Sequence, residues 1–152
     1  MKKEIPSPYA DQRCFFCGEH NDAGLHLRFY LDEDAQVIST EYTAPAAFRG
    51  QGDILHGGFQ CGLLDEVMGW TSRVLIGQAG VTSNLTVRFL KPVHVGVRLS
   101  VSCRITGRHG AEVRLEARIE APRGTICAEA SGTYRLLRQS RFDALTQRPG
   151  DG

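Results

Sequence analysis

The segment Leu55-His56-Gly57-Gly58 stands directly before the longest apolar stretch of the chain, and Asp65 lies inside that stretch. A helix that begins at these glycines presents unpaired backbone N–H groups and a partial positive charge at its first turn. Glycine leaves such amides open to close approach by a ligand oxygen. An amide so placed can stabilise the oxyanion that develops when a carbonyl is attacked. The two glycines could also do no more than end a loop before a helix. Asp65, in Leu63-Leu64-Asp65-Glu66-Val67-Met68, sets a carboxylate among apolar side chains. A charge there is costly unless it is paired or used. Glu66 follows directly, but consecutive helical residues point about 100° apart, so one can face the core and the other water. The bland reading of Asp65 is a narrow polar stripe facing solvent. Gly57 and Asp65 are separated by about 12 Å along a helix axis, too far for one chain to bring both to one carbonyl carbon. If both are catalytic, the amide of one subunit must face the carboxylate of another, and the chemistry requires at least a dimer.

The helix carrying these groups is expected from about Gly57 to Ile76. Phe59, Leu63, Val67, Trp70 and Val74 recur on one helical face. Leu64, Met68 and Leu75 widen that face, so the rest of the fold should enclose the helix. Gly77-Gln78-Ala79-Gly80 ends it, as a C-terminal cap glycine would. Upstream, Leu25–Leu31 alternates apolar and polar and pairs as a hairpin with Val37–Thr43 across Asp32-Glu33-Asp34. A loop follows, punctuated by Pro45, Gly50 and Gly52. Downstream, Val81–Leu90, Val97–Thr106, Ala111–Glu120 and Thr125–Leu136 read as strands separated by turn residues. Pro6 and Pro8 mark residues 1–13 as an irregular arm, and the polar stretch 139–152 as a frayed tail, leaving one domain over 14–138. The expected fold class is α+β: a curved antiparallel sheet of about six strands wrapped around one long central helix.

Composition narrows the function. The chain has 152 residues, 41% hydrophobic and 23% charged, which suits one ordinary globular domain. A formal net charge of +1, with basic and acidic residues interleaved, argues against a nucleic-acid partner. No apolar run approaches the roughly 20 residues that span a bilayer, so no membrane is expected. Nothing apolar follows the basic start, so no signal peptide is read there, and the five cysteines fit free thiols in the cytoplasm. Cys14, Cys17, His20 and His26 have the spacing C-x2-C-x2-H-x5-H, four potential zinc ligands. Because His26 falls in an alternating strand and His20 in a tight turn, the favoured reading is packed thiols, with no metal and no cofactor. Cys61 is placed on the helix without a His-Asp arrangement to activate it, Cys103 and Cys127 in strand cores, and His94 and His109 in solvated turns.

His56-Gly57-Gly58 followed by Leu63–Gly69, with Asp65 nine residues after His56, resembles the PaaI-type hotdog-fold acyl-CoA thioesterases. The likeness extends to Thr82-Ser83-Asn84-Leu85-Thr86-Val87-Arg88-Phe89-Leu90-Lys91-Pro92 and to Cys14-Phe15-Phe16-Cys17-Gly18 with Asn21 and Gly24-Leu25, covering about residues 14–136. The resemblance implies that the Gly57 amide polarises the thioester carbonyl. It implies that Asp65 of the neighbouring subunit acts as nucleophile or general base, that Thr82 helps place the water or the carboxylate, and that His56 orients the substrate. Gly58, Gln51, Ser83, Asn84, Arg88 and Lys91 are the substrate-binding candidates. Gln51 stands in the stretch where some members carry an Asn, while Arg88 and Lys91, with Arg138, are candidates for the CoA phosphates. The implied assembly is a homodimer with a continuous sheet, often paired into a homotetramer, acting on a small, aryl or medium-chain acyl-CoA. A non-catalytic hotdog module that binds acyl-CoA as a sensor is the alternative, which an intact Asp65 disfavours. A hydratase or dehydratase on the same fold would want a different His and carboxylate arrangement.

Overall fold

A computed structural model describes residues 1–150. Its sheet has seven antiparallel strands: β1 (Lys2–Ile5), β2 (Phe29–Asp32), β3 (Val37–Thr43), β4 (Gly80–Phe89), β5 (Arg98–His109), β6 (Glu112–Ala121) and β7 (Thr125–Leu136). Their spatial order is β1-β2-β3-β5-β6-β7-β4. The helix α1 (Gly57–Ile76) leaves β3 and delivers the chain to the far edge, where β4 pairs only with β7. A short α2 (Gln139–Thr146) closes the described chain.

The sheet curls around α1 because both have an apolar surface to bury. β6 alternates almost strictly, with Val113, Leu115, Ala117 and Ile119 buried and the residues between them turned out. Leu63, Leu64, Val67, Met68 and Trp70 of α1 fill the concave side, none more than 3% exposed. Trp70 stacks on Phe29 of β2 with ring centroids 4.1 Å apart. Truncating such a buried aromatic costs about 3–5 kcal/mol. Gly77 ends α1 with φ 79°, a left-handed conformation in which its amide reaches Arg73 O, the cap that glycine supplies most cheaply.

Three expectations need correction. The arm was expected to be irregular, yet Lys2–Ile5 pairs with β2, Lys3 opposite Leu31 and Ile5 opposite Phe29. Pro6 and Pro8 stop the strand rather than prevent it. The strand expected from Leu25 begins only at Phe29: His26 takes φ 52°, and the Leu25 and Leu27 amides bond to Phe15 O and Phe16 O instead of to the sheet. The tail expected to fray contains α2, whose Phe142 ring lies under the Arg73 guanidinium at 5.6 Å. The end of that tail, 151–152, lies outside the described residues. Among the described residues no helix is long and apolar enough to cross a membrane.

Candidate active site

The loop between β3 and α1 fixes where the helix begins. Leu55 N–H donates to Val93 O at 2.7 Å and Val95 N–H to Asp53 O at 2.9 Å, tying the loop to the β4–β5 connection. His56 N–H reaches Phe48 O at 3.0 Å, and the Phe48 and Phe59 rings meet at 4.8 Å. His56 is the N-cap: its Nδ1 accepts the Gly58 amide at 2.9 Å. The Phe59 and Gln60 amides both close on His56 O, at 3.0 and 3.1 Å. Of the first-turn donors, only the Gly57 amide has no acceptor among the described residues. It opens on a cleft of about 320 Å³ lined by Ile54, Gln60, Phe89, Leu90, Lys91 and Pro92. A side chain at Gly57 would sit 3.5 Å from the Phe89 ring, so the aromatic edge already walls the cleft beside Gly57.

Two turns further on, Asp65 turns toward β4. Thr82 Oγ1 donates to Asp65 Oδ1 at 2.6 Å, fixing the carboxylate on one oxygen. Thr82 can reach inward because β4 carries a bulge: Thr82 pairs with Tyr134 and Asn84 with Thr133, leaving Ser83 as the extra residue. The Ser83 hydroxyl bonds to Thr133 Oγ1 at 2.7 Å. Tyr134 lies behind Asp65, and burial followed by the Asp65 charge pushes its phenol up to about 12. Glu66, on the other side of α1, is raised to about 7 by burial, opposed in part by hydrogen bonding to Cys17.

The candidates thus fall into three groups. Gly57, Gly58 and His56 form the helix start, with Lys91 in the same cleft. Asp65 and Thr82 form a second cluster, while Ser83 bonds to Thr133 instead and Asn84 is exposed on β4. Gln51 is exposed in the loop, and Arg88 is turned to the outer sheet face, paired with Glu129 at 3.2 Å. Sequence reasoning missed Gln60, buried in the first turn with Nε2 bonded to Leu55 O at 2.9 Å and Oε1 without a partner among the described residues. Its signal was a polar residue in register with Leu64, Val67 and Thr71 on the buried face. The zinc spacing does not gather its four ligands: His20 and His26 are exposed, and His26 Nε2 is held by Asn21 O at 2.7 Å.

A sheet wrapped on one helix, with an open amide at the helix start and a carboxylate two turns on, defines a hotdog fold of the thioesterase kind. A family model described as the thioesterase superfamily matches residues 52–127, half of the chain, and the chain belongs to that superfamily. Solved structures repeat the fold. One, described as a thioesterase superfamily protein, gives a TM-score of 0.74 at 20% identity over 82% of this chain, which spans 60% of that protein's length. The PaaI protein of the E. coli phenylacetic acid degradation operon gives 0.63 at 20% identity, covering 67% of this chain and 73% of that one. A Streptococcus mutans UA159 protein bound to acetyl CoA gives 0.64 at 17% identity, covering 68% and 82%. No curated protein matches the chain.

Proposed function

We propose that this protein is an acyl-CoA thioesterase whose active sites each combine the Gly57 amide of one subunit with Asp65 of its neighbour. The observation that carries the reading is the Gly57 amide, the one first-turn donor without an acceptor among the described residues, at a cleft that Gly57 lines. In hydrolysis this N–H receives the carbonyl oxygen as it becomes an oxyanion. Asp65, held at Oδ1 by Thr82, keeps Oδ2 for the reaction. It either takes a proton from the attacking water or attacks the carbonyl itself, to form an anhydride that water then opens. In both routes the tetrahedral intermediate collapses by breaking the C–S bond, and the electron pair leaves with the CoA thiolate. A thiolate is stable enough to depart without a strong general acid.

The exposed edge supports a paired assembly. β4 pairs on one side only and carries Val81, Phe89 and, just beyond it, Leu90 at 37, 55 and 44% exposure. A long edge strand with one side unpaired is a template for pairing. Joining it to a second copy about a two-fold axis extends the sheet and sets two α1 helices side by side, as a dimer or within a tetramer. That arrangement overcomes the separation of Gly57 and Asp65 along one helix. The substrate reading is a small, aryl or medium-chain acyl-CoA. Lys91, in the Gly57 cleft, is better placed for a CoA phosphate than Arg88, which is engaged with Glu129. Five free cysteines suit a reducing, cytoplasmic setting.

The test is thiol release from short, medium, long and aryl acyl-CoAs, followed by mixed oligomers. Asp65→Asn and Gly57→Pro homo-oligomers should each lose most of their turnover. Mixed together they should recover activity, because one site in each hybrid pair then has both an intact amide and an intact carboxylate. Recovery in neither mixture nor panel by folded wild type would point instead to an acyl-CoA-binding module.

A further inference from the structure

The arm-facing side of α1 gathers a second set of reactive groups that thioester hydrolysis does not use. Cys14 Sγ lies 3.7 and 3.8 Å from the two Glu66 carboxylate oxygens. With Cys17 Sγ they form a cluster whose ligand atoms all lie within 4.8 Å of one another. We propose that Cys14, Cys17 and Glu66 bind one zinc-class divalent cation, with water completing the coordination.

The donor set selects the metal. Two sulfurs favour a borderline-soft ion such as Zn²⁺ over Mg²⁺ or Ca²⁺. Tetrahedral zinc with Zn–S near 2.3 Å and Zn–O near 2.0–2.2 Å requires sulfur-to-oxygen edges of about 3.5 Å. The Cys14–Glu66 spacing already approaches that edge. The sulfur-bearing loop is preformed. Gly18 N–H donates to Cys14 O at 2.9 Å. Gly18 cannot be larger, since a Cβ there would lie 2.3 Å from Gln12 O and 2.5 Å from Cys14 N. His20 N–H to Gln12 O at 2.8 Å and Asn21 Nδ2 to Arg13 O at 3.0 Å brace the loop from behind.

The helix side asks for a cation. No lysine or arginine among the described residues forms an ion pair with Glu66. A largely enclosed carboxylate beside two thiols is costly without a positive partner. Access exists as well: Cys17 and Trp70 line an open cleft of about 620 Å³ between the arm and β2, with Gln12, Glu19 and His26 on its walls. The third ligand comes from a helix far along the chain, so the C-x2-C spacing alone could not reveal it.

The test uses the full-length protein, reduced and stripped with a chelator, and Co²⁺ alone as the probe. One Co²⁺ per chain should bind with thiolate-to-cobalt charge-transfer absorption, and Zn²⁺ should displace it. Cys14→Ser and Cys17→Ser should each lose that absorption, while Glu66→Gln should keep it with affinity at least about tenfold weaker. Because a cysteine variant can fail to fold, a second measurement uses wild type only: Zn²⁺ should protect Cys14 and Cys17, but not Cys61, from alkylation. Absence of charge-transfer absorption in folded wild type overturns the site, as does its persistence in both serine variants or an unchanged affinity in Glu66→Gln. Formation of a Cys14–Cys17 disulfide by a protein that takes up no metal when reduced also overturns it. None of these readouts depends on thioester hydrolysis.

Discussion

Asp65 and Glu66 are adjacent in sequence and belong to different halves of the molecule. Asp65 faces an edge strand, where an exposed threonine hydroxyl fixes one of its oxygens. Glu66 faces the N-terminal arm, among thiols and beside Trp70. One helix therefore serves two polar sites of opposite character, separated by the roughly 100° step between neighbours. The edge side is open on one flank and invites a second subunit and a substrate. The arm side is walled by the chain's own loop, is reached by the cleft beside Cys17, and suits a small ion. A carboxylate's role here is set less by its own chemistry than by which strand or loop the helix turns it toward.

That contrast can be broken at four points. Asp65→Asn should lower turnover by at least about 100-fold while leaving the fold intact, as removal of a catalytic base or nucleophile commonly does. Near-normal steady-state rates in the folded oligomer would move the chemistry away from the edge side. Gly57→Pro should cost about 100-fold in kcat, the scale of one lost oxyanion donor. Proline is tolerated at the first helical position, and His56 already has the extended ψ of 132° that a following proline prefers. A circular dichroism spectrum matching wild type, with unchanged kcat, would release Gly57 from its role. Thr82→Val should reduce kcat by about tenfold with little change in KM, and Thr82→Ser should restore it, if the hydroxyl positions Asp65. Glu66→Gln should change turnover by no more than about twofold. A drop comparable to Asp65→Asn would join the two sides into one functional unit.

Much of this was legible in the sequence because it depends on period and on local chemistry. The helix runs over the residues that the spacing of Phe59, Leu63, Val67, Trp70 and Val74 requires, and Gly77 caps it. β6 and β7 follow their alternation closely. The parts that escaped depend on what a segment meets. Lys2–Ile5 has no apolar pattern of its own and becomes a strand by backbone pairing with β2. Leu25–Arg28 has the pattern, but the Leu25 and Leu27 amides bond to Phe15 O and Phe16 O. At the site, Gly57 and Asp65 were visible by type and spacing. The capping role of His56 and the meeting of Glu66 with Cys14 were not, because one rests on a side-chain rotamer and the other on a contact across 52 positions.

The bulge at Ser83 carries a consequence for how this strand can change. Thr86 and Arg88 line a groove on the outer face of the sheet. In an uninterrupted strand Thr82 would share their parity and point the same way. The extra residue switches the frame between Thr82 and Asn84, so Thr82 meets α1 while the outward set downstream is kept. Position along β4 is therefore counted in odd and even steps. Removing Ser83 alone would leave Thr82 opposite Tyr134 and Asn84 opposite Thr133, an unbroken ladder in which Thr82 still faces Asp65, whereas pairing Ser83 as a regular residue would turn Thr82 to the outer face.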